Sequence, residues 1–439
     1  MADITLADVC EAIVDCEHKT APLSAAGYPS IRTTNIKNGR LDLANSNRVD
    51  HATYEAWTQR RRPVPGDLIL AREAPVGEVG IIPFGAQVVL GQRTVLICPD
   101  RSKADPHYLL FIMIGPEMRH RMTSKAGGST VDHLNMRDIR ALPLPELPPL
   151  PEQRALAAVL GALDDKIEVN RKMARVLEEI ARAVFTSWFV DFDPVRRRPL
   201  SGPTLALALP ESLAALFPTR LVDSPLGEVP EGWRVGTIDS LCVSITSGGT
   251  PARMNKEYWE GGTIPWFKTG ELFDGPLFES EEHITKSALE NSSCKLWPAG
   301  TILFALYASP TVGRLGVLTR SGTSNQAAAG LTVKAEFGVP FLMNALFFAR
   351  AKLQQIAVGA AQQNINQGVL KAHQIVVPPS ALASRFSTVM QPAFEKQAQL
   401  AEQSATLAAL RDTLLPKLIS GELRIADVER IVGRATHGQ

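Results

Sequence analysis

The sequence predicts an α+β protein: two β-rich mixed domains joined by two long antiparallel coiled-coil helices, related as a pseudo-two-fold tandem repeat. Three observations lead there. Short motifs recur in the same order at one spacing. Each recurring half carries strand-like runs punctuated by glycine and proline. Two further stretches, poor in glycine, carry a helical stripe of apolar residues.

The repeat has a spacing of roughly 230 residues, too long for a solenoid. Pro29-Ser-Ile-Arg-Thr33 through Gly39 falls on Pro265-Trp-Phe-Lys-Thr269 through Gly275. Pro65-Gly-Asp-Leu-Ile-Leu-Ala71 falls on Ala299-Gly-Thr-Ile-Leu-Phe-Ala305, and Val76-Gly-Glu-Val-Gly-Ile-Ile82 on Val312-Gly-Arg-Leu-Gly-Val-Leu318. Asn135 meets Asn366, and Arg140 meets Lys371. Four matches in one order at nearly one offset point to a duplicated pair.

Within each half, Leu68–Ala71, Glu78–Ile82 and Val88–Leu90 read as strands of a compact β-rich domain. Tyr108–Met122 reads as a helix, with Phe341–Val358 as its counterpart. Loops follow at Ala126-Gly-Gly-Ser-Thr130 and Gly359-Ala-Ala-Gln-Gln-Asn364. Each half closes on an apolar strand with prolines, Leu142-Pro-Leu-Pro145 and Ile375-Val-Val-Pro-Pro379.

After the stiff Pro148-Pro-Leu-Pro151, the stretch from Glu152 to Phe189 has no proline and only one glycine. Apolar residues recur at Leu156, Leu160, Leu163, Ile167, Ala174, Leu177, Ala181, Val184 and Trp188, with Asn170 on the same seam. A buried Asn there fixes register at some cost in stability. Pro151 suits an early helical position, and Glu152 suits the positive end of the helix dipole. A helix of about 39 residues would be roughly 58 Å long. The second half answers with Phe386, Val389, Phe394, Leu400, Leu407, Leu410 and Leu414. Pro392 predicts a break, with a short helix before it and a long one after it. The expected seam comprises Leu156, Leu163, Asn170, Leu177, Val184, Leu400, Leu407 and Leu414, packed antiparallel.

Composition bounds the function. The 439 residues are 45% hydrophobic and 21% charged, with a net charge of +1. This composition allows ordinary cores, and its charge neither requires nor excludes a polyanionic partner. Five cysteines, Cys10, Cys16, Cys98, Cys242 and Cys294, include no C-x-x-C pair, so neither a zinc site nor a disulfide framework is expected. No signal peptide is visible and no apolar run reaches membrane-spanning length, so a cytoplasmic protein is expected. Arg196-Arg-Arg198, between the halves, reads as a solvated linker feature.

Catalytic motifs are missing. There is no G-x-x-x-x-G-K-[ST] loop. The nearest string to an adenine methyltransferase tetrad, Val377-Pro-Pro-Ser380, lacks both its leading amide or acid and its aromatic. Glu281, Glu282 and Lys286 sit in a polar stretch without strand framing. Asp132-His133 is a weak acid–base candidate, and a loop histidine bonded to backbone is the commoner arrangement. No catalytic residue and no metal ligand is assigned.

Two stretches carry a family resemblance. Leu147-Pro-Pro-Leu-Pro-Glu-Gln-Arg154, Leu160-Gly-Ala-Leu-Asp-Asp-Lys-Ile167 and Ala183-Val-Phe-Thr-Ser-Trp-Phe-Val-Asp-Phe-Asp193 resemble the central conserved region of type I restriction–modification specificity subunits. Leu410-Arg-Asp-Thr-Leu-Leu-Pro-Lys-Leu-Ile-Ser-Gly-Glu-Leu-Arg424 is similar to their C-terminal conserved region. One departure stands out: Ser380-Ala-Leu-Ala383 opens the second helix where the first has Pro151-Glu-Gln.

The resemblance implies a division into a first target-recognition domain (1–147), a central conserved helix (148–190), a linker (191–225), a second target-recognition domain (226–379), a C-terminal conserved helix (380–424) and a tail (425–439). It implies double-stranded DNA as ligand, each recognition domain reading one half of a bipartite, asymmetric target while the helices set the gap. It implies two methyltransferase (modification) subunits that bind S-adenosylmethionine, and restriction subunits using ATP and Mg as possible further partners. This chain would bind no cofactor and carry no catalysis itself. The alternatives are a single-chain restriction and methylation enzyme, or a coiled-coil scaffold that does not touch DNA.

Candidate DNA contacts follow from residue type. Gly127, Gly128, Ser129 and Thr130 form a loop that lets a backbone approach closely, and Gln362, Gln363 and Asn364 are its counterpart. Matched charges at duplicated positions, Arg32 with Lys268 and Arg140 with Lys371, suit a shared phosphate role. Unmatched positions suit base reading: Arg72 against Leu306, Arg93 against Ala327, and Glu78 against Arg314. Arg60, Arg61 and Arg62 form a further basic patch.

Overall fold

A computed structural model describes residues 4–126, 133–196, 209–307, 310–358, 364–419 and 422–423. The chain forms two compact units, Met1–Glu168 with Ala405–Gln439, and Val169–Ser404.

Unit 1 is built on strands β1 (Cys10–Asp15), β2 (Leu68–Ala71), β3 (Val79–Ile81) and β4 (Thr94–Pro99), paired antiparallel in the order β1-β4-β2-β3. Every residue of β2 and β4 is buried. The alternation of a strand explains why both stay apolar throughout. Leu68 and Leu70 enter one core with the helices, while Ile69 and Ala71 enter a second core on the other face. A sheet covered on both faces selects a continuous apolar run. A smaller sheet sets Tyr28–Ile31 between Asn47–Val49, antiparallel, and Val89–Leu90, parallel.

Unit 2 repeats this plan. Its strands β5 (Cys242–Ser247), β6 (Gly275–Leu277), β7 (Ile302–Ala305), β8 (Leu315–Leu318) and β9 (Ala328–Val333) take the order β5-β9-β7-β8-β6. Its smaller sheet sets Ile264–Phe267 between Glu282–Ile284, antiparallel, and Thr323–Ser324, parallel. Ile302 and Phe304 again face one core, Leu303 and Ala305 the other. In unit 1 the place of β6 is held by one parallel bridge, Gly39 to Gly80, where unit 2 pairs Gly275 with Gly316.

The repeat extends to single main-chain bonds. Ala71 N donates to Glu78 O at 2.8 Å, and Ala305 N to Arg314 O at 2.9 Å. Arg72 N donates to Arg93 O at 3.0 Å, and Leu306 N to Ala327 O at 2.7 Å. Leu134 N donates to Arg72 O at 3.0 Å, and Ile365 N to Leu306 O at 2.8 Å. The residue pairs matched by sequence are therefore structurally equivalent.

Three local expectations need correction. Tyr108–Met122 is two helices, Pro106–Ile114 and Pro116–Lys125, because Gly115 is extended and Pro116 starts the second as an early helical residue. Its counterpart, Val339–Val358, is continuous. Leu142–Pro145 is not a strand, and only Pro143 bridges Thr5, since prolines alternate with the leucines and remove ladder donors. The second closing strand does form, at Gln374–Val377, and stops before Pro378.

Helix α1 spans Leu150–Phe185 and continues as a π-type turn over Thr186–Val190. Helix α2 runs unbroken over Ser380–Ile419, contrary to the break expected at Pro392. Pro392 lies on the exposed face, where water can satisfy the carbonyl that loses its donor. Phe386, Ser387 and Met390 are buried just before it and hold the helix by packing. Pro416, also within α2, is exposed for the same reason.

Within unit 1, Leu156, Leu160, Leu163 and Ile167 of α1 share one core with Leu407, Leu414, Leu415 and Leu418 of α2. Arg411 Nη1 meets Asp164 Oδ1 at 2.6 Å, and both side chains are largely covered. Within unit 2 the two helices run antiparallel: Asn170 Nδ2 donates to Gln403 Oε1 at 2.9 Å, and Phe185 meets Phe386 edge-on. Asn170 is 1% exposed, and its Oδ1 has no partner among the described residues. Leu400 is buried, while Leu177 and Val184 are half-buried.

The different openings of the two helices have different functions. Gln153, fully buried, accepts from Asp105 N and donates to the carbonyls of Lys103 and Pro148. Unit 2 lacks this amide and instead uses Ser387, which accepts from Phe341 N and donates to Phe337 O. No helix among the described residues is long and apolar enough to cross a membrane. All five cysteines are free thiols, and burial pushes Cys10, Cys98 and Cys242 up to about 12, far from nucleophilic use near neutral pH.

The proline geometry sets a stability test. Pro392→Ala should restore one helical bond at no packing cost, raising the unfolding free energy of the full chain by on the order of 1 kcal/mol or more and with it the chemical-denaturation midpoint. An unchanged or lowered midpoint would show that the ring is itself needed.

Candidate nucleic-acid interface

The matched basic residues occupy equivalent places in the two units. Arg32 and Lys268 each precede a single helical turn, Thr33–Asn35 or Thr269–Glu271. Arg32 N donates to Asn35 Oδ1 at 3.1 Å, and Lys268 N to Glu271 Oε1 at 2.8 Å. Arg32 is exposed. Lys268 Nζ reaches Glu281 at 2.6 Å, and that carboxylate holds the ammonium above its ordinary pKa. Asn135 and Asn366 start equivalent short helices, Met136–Arg140 and Gln367–Ala372, which carry Arg140 and Lys371. Arg140 Nη2 donates to Ile13 O at 3.3 Å.

The basic patch is neutralised where it stands. Arg60 pairs with Glu17 at 3.2 Å, Arg61 with Glu11 at 2.6 Å, and Arg62 with Glu55 at 2.8 Å. These arginines remain exposed, so the pairs are screened and can open.

The unmatched residues divide. Glu78 pairs with Arg119 at 2.8 Å, and Arg314 lies over the exposed Phe273 ring at 5.5 Å. Arg72 and Arg93, by contrast, are gathered into one polar chain. Arg72 Nη1 meets Asp15 Oδ2 at 2.7 Å, and its Nη2 meets His133 Nε2 at 2.7 Å. His133 Nδ1 meets Glu73 Oε1 at 2.6 Å, and Arg93 Nε meets Glu73 Oε2 at 3.0 Å. A guanidinium can only donate, so His133 Nε2 accepts and its proton sits on Nδ1. The His133 imidazole thus links an arginine to a glutamate, while its main chain forms an antiparallel bridge with Glu73. Arg72 is 8% exposed, whereas the Arg93 side chain is 55% exposed. Arg93 has φ 67°, a left-handed conformation unusual for a side-chain-bearing residue.

Asp15, Glu73 and His133 were not among the sequence candidates for DNA contact. The repeat carried the signal: strand equivalence puts Ser247 opposite Asp15, Tyr307 opposite Glu73 and Asn364 opposite His133. Asp15, Cys16 and His18 also bring three metal-capable atoms within 4.8 Å, but Asp15 is the carboxylate that Arg72 already neutralises. In unit 2, sequence reasoning missed Arg253. Its guanidinium stacks 4.0 Å from the Trp259 ring and 4.7 Å from Trp266, while pairing with Glu282 at 2.7 Å. Basic and aromatic residues alternating along that stretch were the available cue. Gly127, Gly128, Ser129, Thr130, Gln362 and Gln363 lie outside the described residues, as does Asp132. Asn364 is described and immediately precedes the buried Ile365.

The exposed pairs carry a prediction. Substituting Arg60, Arg61 and Arg62 together by Ala should cost less than about 1 kcal/mol per pair in a denaturation experiment. A larger loss would mean these arginines are structural.

The family described as type I restriction modification DNA specificity domain matches residues 1–179 and 230–400. The chain is 26% identical to the type I restriction enzyme MjaIX specificity subunit of Methanocaldococcus jannaschii, covering 83% of this chain and 79% of that one. It is 26% identical to the HindI specificity subunit of Haemophilus influenzae, covering 76% and 81%. The crystal structure of the type I restriction–modification system S subunit from M. genitalium shares the fold, with a TM-score of 0.57 at 15% identity over 95% of both chains.

Proposed function

This chain belongs to the type I restriction modification DNA specificity family, and from that premise we propose that it is the sequence-reading subunit of a type I restriction–modification complex. The observation that carries the reading is the duplicated frame, repeated down to single main-chain bonds while its exposed polar residues differ. Two like frames with unlike surfaces suit an asymmetric target read in two halves. Residues 1–147 form the first reader and 226–379 the second. The helical segments 148–190 and 380–424 set the gap, with 191–225 as linker and 425–439 as tail. Linking two weak half-site interactions through a fixed spacer makes binding both tighter and selective for spacing.

Phosphate contacts fall to Arg32, Lys268, Arg140 and Lys371, whose charge is common to both units. Sequence-independent anchoring needs the same charge in the same place. Catalysis is delivered by partners: two modification subunits binding S-adenosylmethionine and, where present, restriction subunits using ATP and Mg. A docking surface supports this. On α1, Val169, Met173, Val176 and Ile180 are 49%, 44%, 52% and 48% exposed, spaced four and three residues apart. An apolar stripe at helical spacing suits a helical partner.

Selection from random DNA by the chain with its modification subunit should return a bipartite motif of fixed gap. A contiguous motif, or none, rejects the reading in favour of a scaffold. Purified chain that methylated or cut DNA alone would favour the single-chain enzyme. Val176→Glu with Ile180→Glu should weaken modification-subunit binding at least tenfold by calorimetry while the thermal midpoint holds. Arg32→Ala should weaken binding to all sequences alike and lower the salt dependence of affinity by about one unit of slope.

A further inference from the structure

The geometry points to a specific reading head in unit 1: Arg93 and Glu73 together read a G·C base pair in the first half-target, oriented by His133, Arg72 and Asp15. This rests on the DNA-reading function proposed above and assigns it to named atoms.

Charge balance comes first. A phosphate site needs surplus positive charge, but here two guanidinium groups face two carboxylates within one chain of contacts. Such a group offers little general attraction to a polyanion. It offers instead a fixed pattern of donors beside an acceptor, which is what a base edge recognises. In the major groove, guanine presents two acceptors and its cytosine one amino donor. The Arg93 guanidinium supplies the donors. Glu73, 3.0 Å away, supplies the acceptor.

The burial gradient assigns the roles. Arg93 is more than half exposed and can reach outward. Glu73 is partly covered, with one oxygen on Arg93 and the other on His133. Arg72 is buried, ties His133 to Asp15, and leaves its Nε without a partner among the described residues. Arg72 and Asp15 are therefore positioning residues. They hold the imidazole that aims Glu73, and do not reach the base.

Unit 2 supplies the contrast. The same main-chain bonds carry Leu306 in place of Arg72 and Ala327 in place of Arg93. The frame thus stands without either arginine. Their presence in unit 1 serves something other than folding, and the second half-target is read by other groups.

The experiment is methylation-site sequencing of cells expressing the full chain with its modification subunit, comparing wild type with Arg93→Gly, Glu73→Gln and Asp15→Asn. Glycine relieves the positive φ at position 93, so this variant folds more readily than alanine would. The expected result is loss of discrimination at one G·C pair of the first half-target, on the order of tenfold to a hundredfold. The second half-target and the gap should stay unchanged. Asp15→Asn should blur that same pair more weakly, an effect that a merely structural role would spread over the whole site. The proposal is overturned if the first half-target contains no G·C pair, if Arg93→Gly leaves its specificity intact, or if methylation falls uniformly at every site. In each case an intact bipartite wild-type motif would leave the DNA-reading function standing. A wild-type motif without two halves would instead reject that function.

Discussion

Main-chain hydrogen bonds set the frame on which everything else in both units is hung. The residue after the central strand donates to the residue before its neighbour, and accepts from Leu134 in unit 1 or Ile365 in unit 2. Such bonds satisfy buried backbone groups without specifying a side chain. One position can therefore carry Arg72 in one unit and Leu306 in the other. Fold and surface chemistry are thereby uncoupled, and two readers of one architecture can present unlike polar groups.

Burying Arg72 still has a cost. A guanidinium removed from water is tolerated when carboxylates and hydrogen bonds replace the lost solvation. Asp15 and His133 do so on two of its nitrogens, and Glu73 completes the chain through the imidazole. The helix pair uses similar logic more sparingly. Leucines supply most of the attraction within unit 1, but apolar contacts alone accept several registers. Arg411 with Asp164, and Asn170 with Gln403, each satisfy a polar group in one register only.

Features with a period were legible in the sequence. The heptad stripe marked α1 and α2, and apolar runs marked β2 and β7, because burial on a helix face or in a two-faced sheet imposes regular spacing. The duplication was legible because frame positions such as Gly39 and Gly275, or Asn135 and Asn366, keep the same backbone task. Local breaks were less so. Pro392 reads as a stop until packing at Phe386 and Met390 is known, and Pro116 reads as helical until Gly115 is seen extended. The polar chain around His133 was only half visible. Arg72 and Arg93 differed from their counterparts, but Asp15 and Glu73 join them through strand pairing that brings distant segments together.

Unit 1 takes its last piece from beyond residue 404, whereas unit 2 is continuous from 169 to 404. A chain emerging from the ribosome thus presents Leu156, Leu160 and Leu163 long before Leu407, Leu414 and Leu418 exist to cover them. At synthesis rates of about 5–20 residues per second, that interval is on the order of ten seconds or more. Unit 2 can close on its own during that time, but unit 1 cannot. The reader made first is the one finished last, and its apolar helix face stands open to chaperones and to other nascent chains until Leu407, Leu414 and Leu418 have been made.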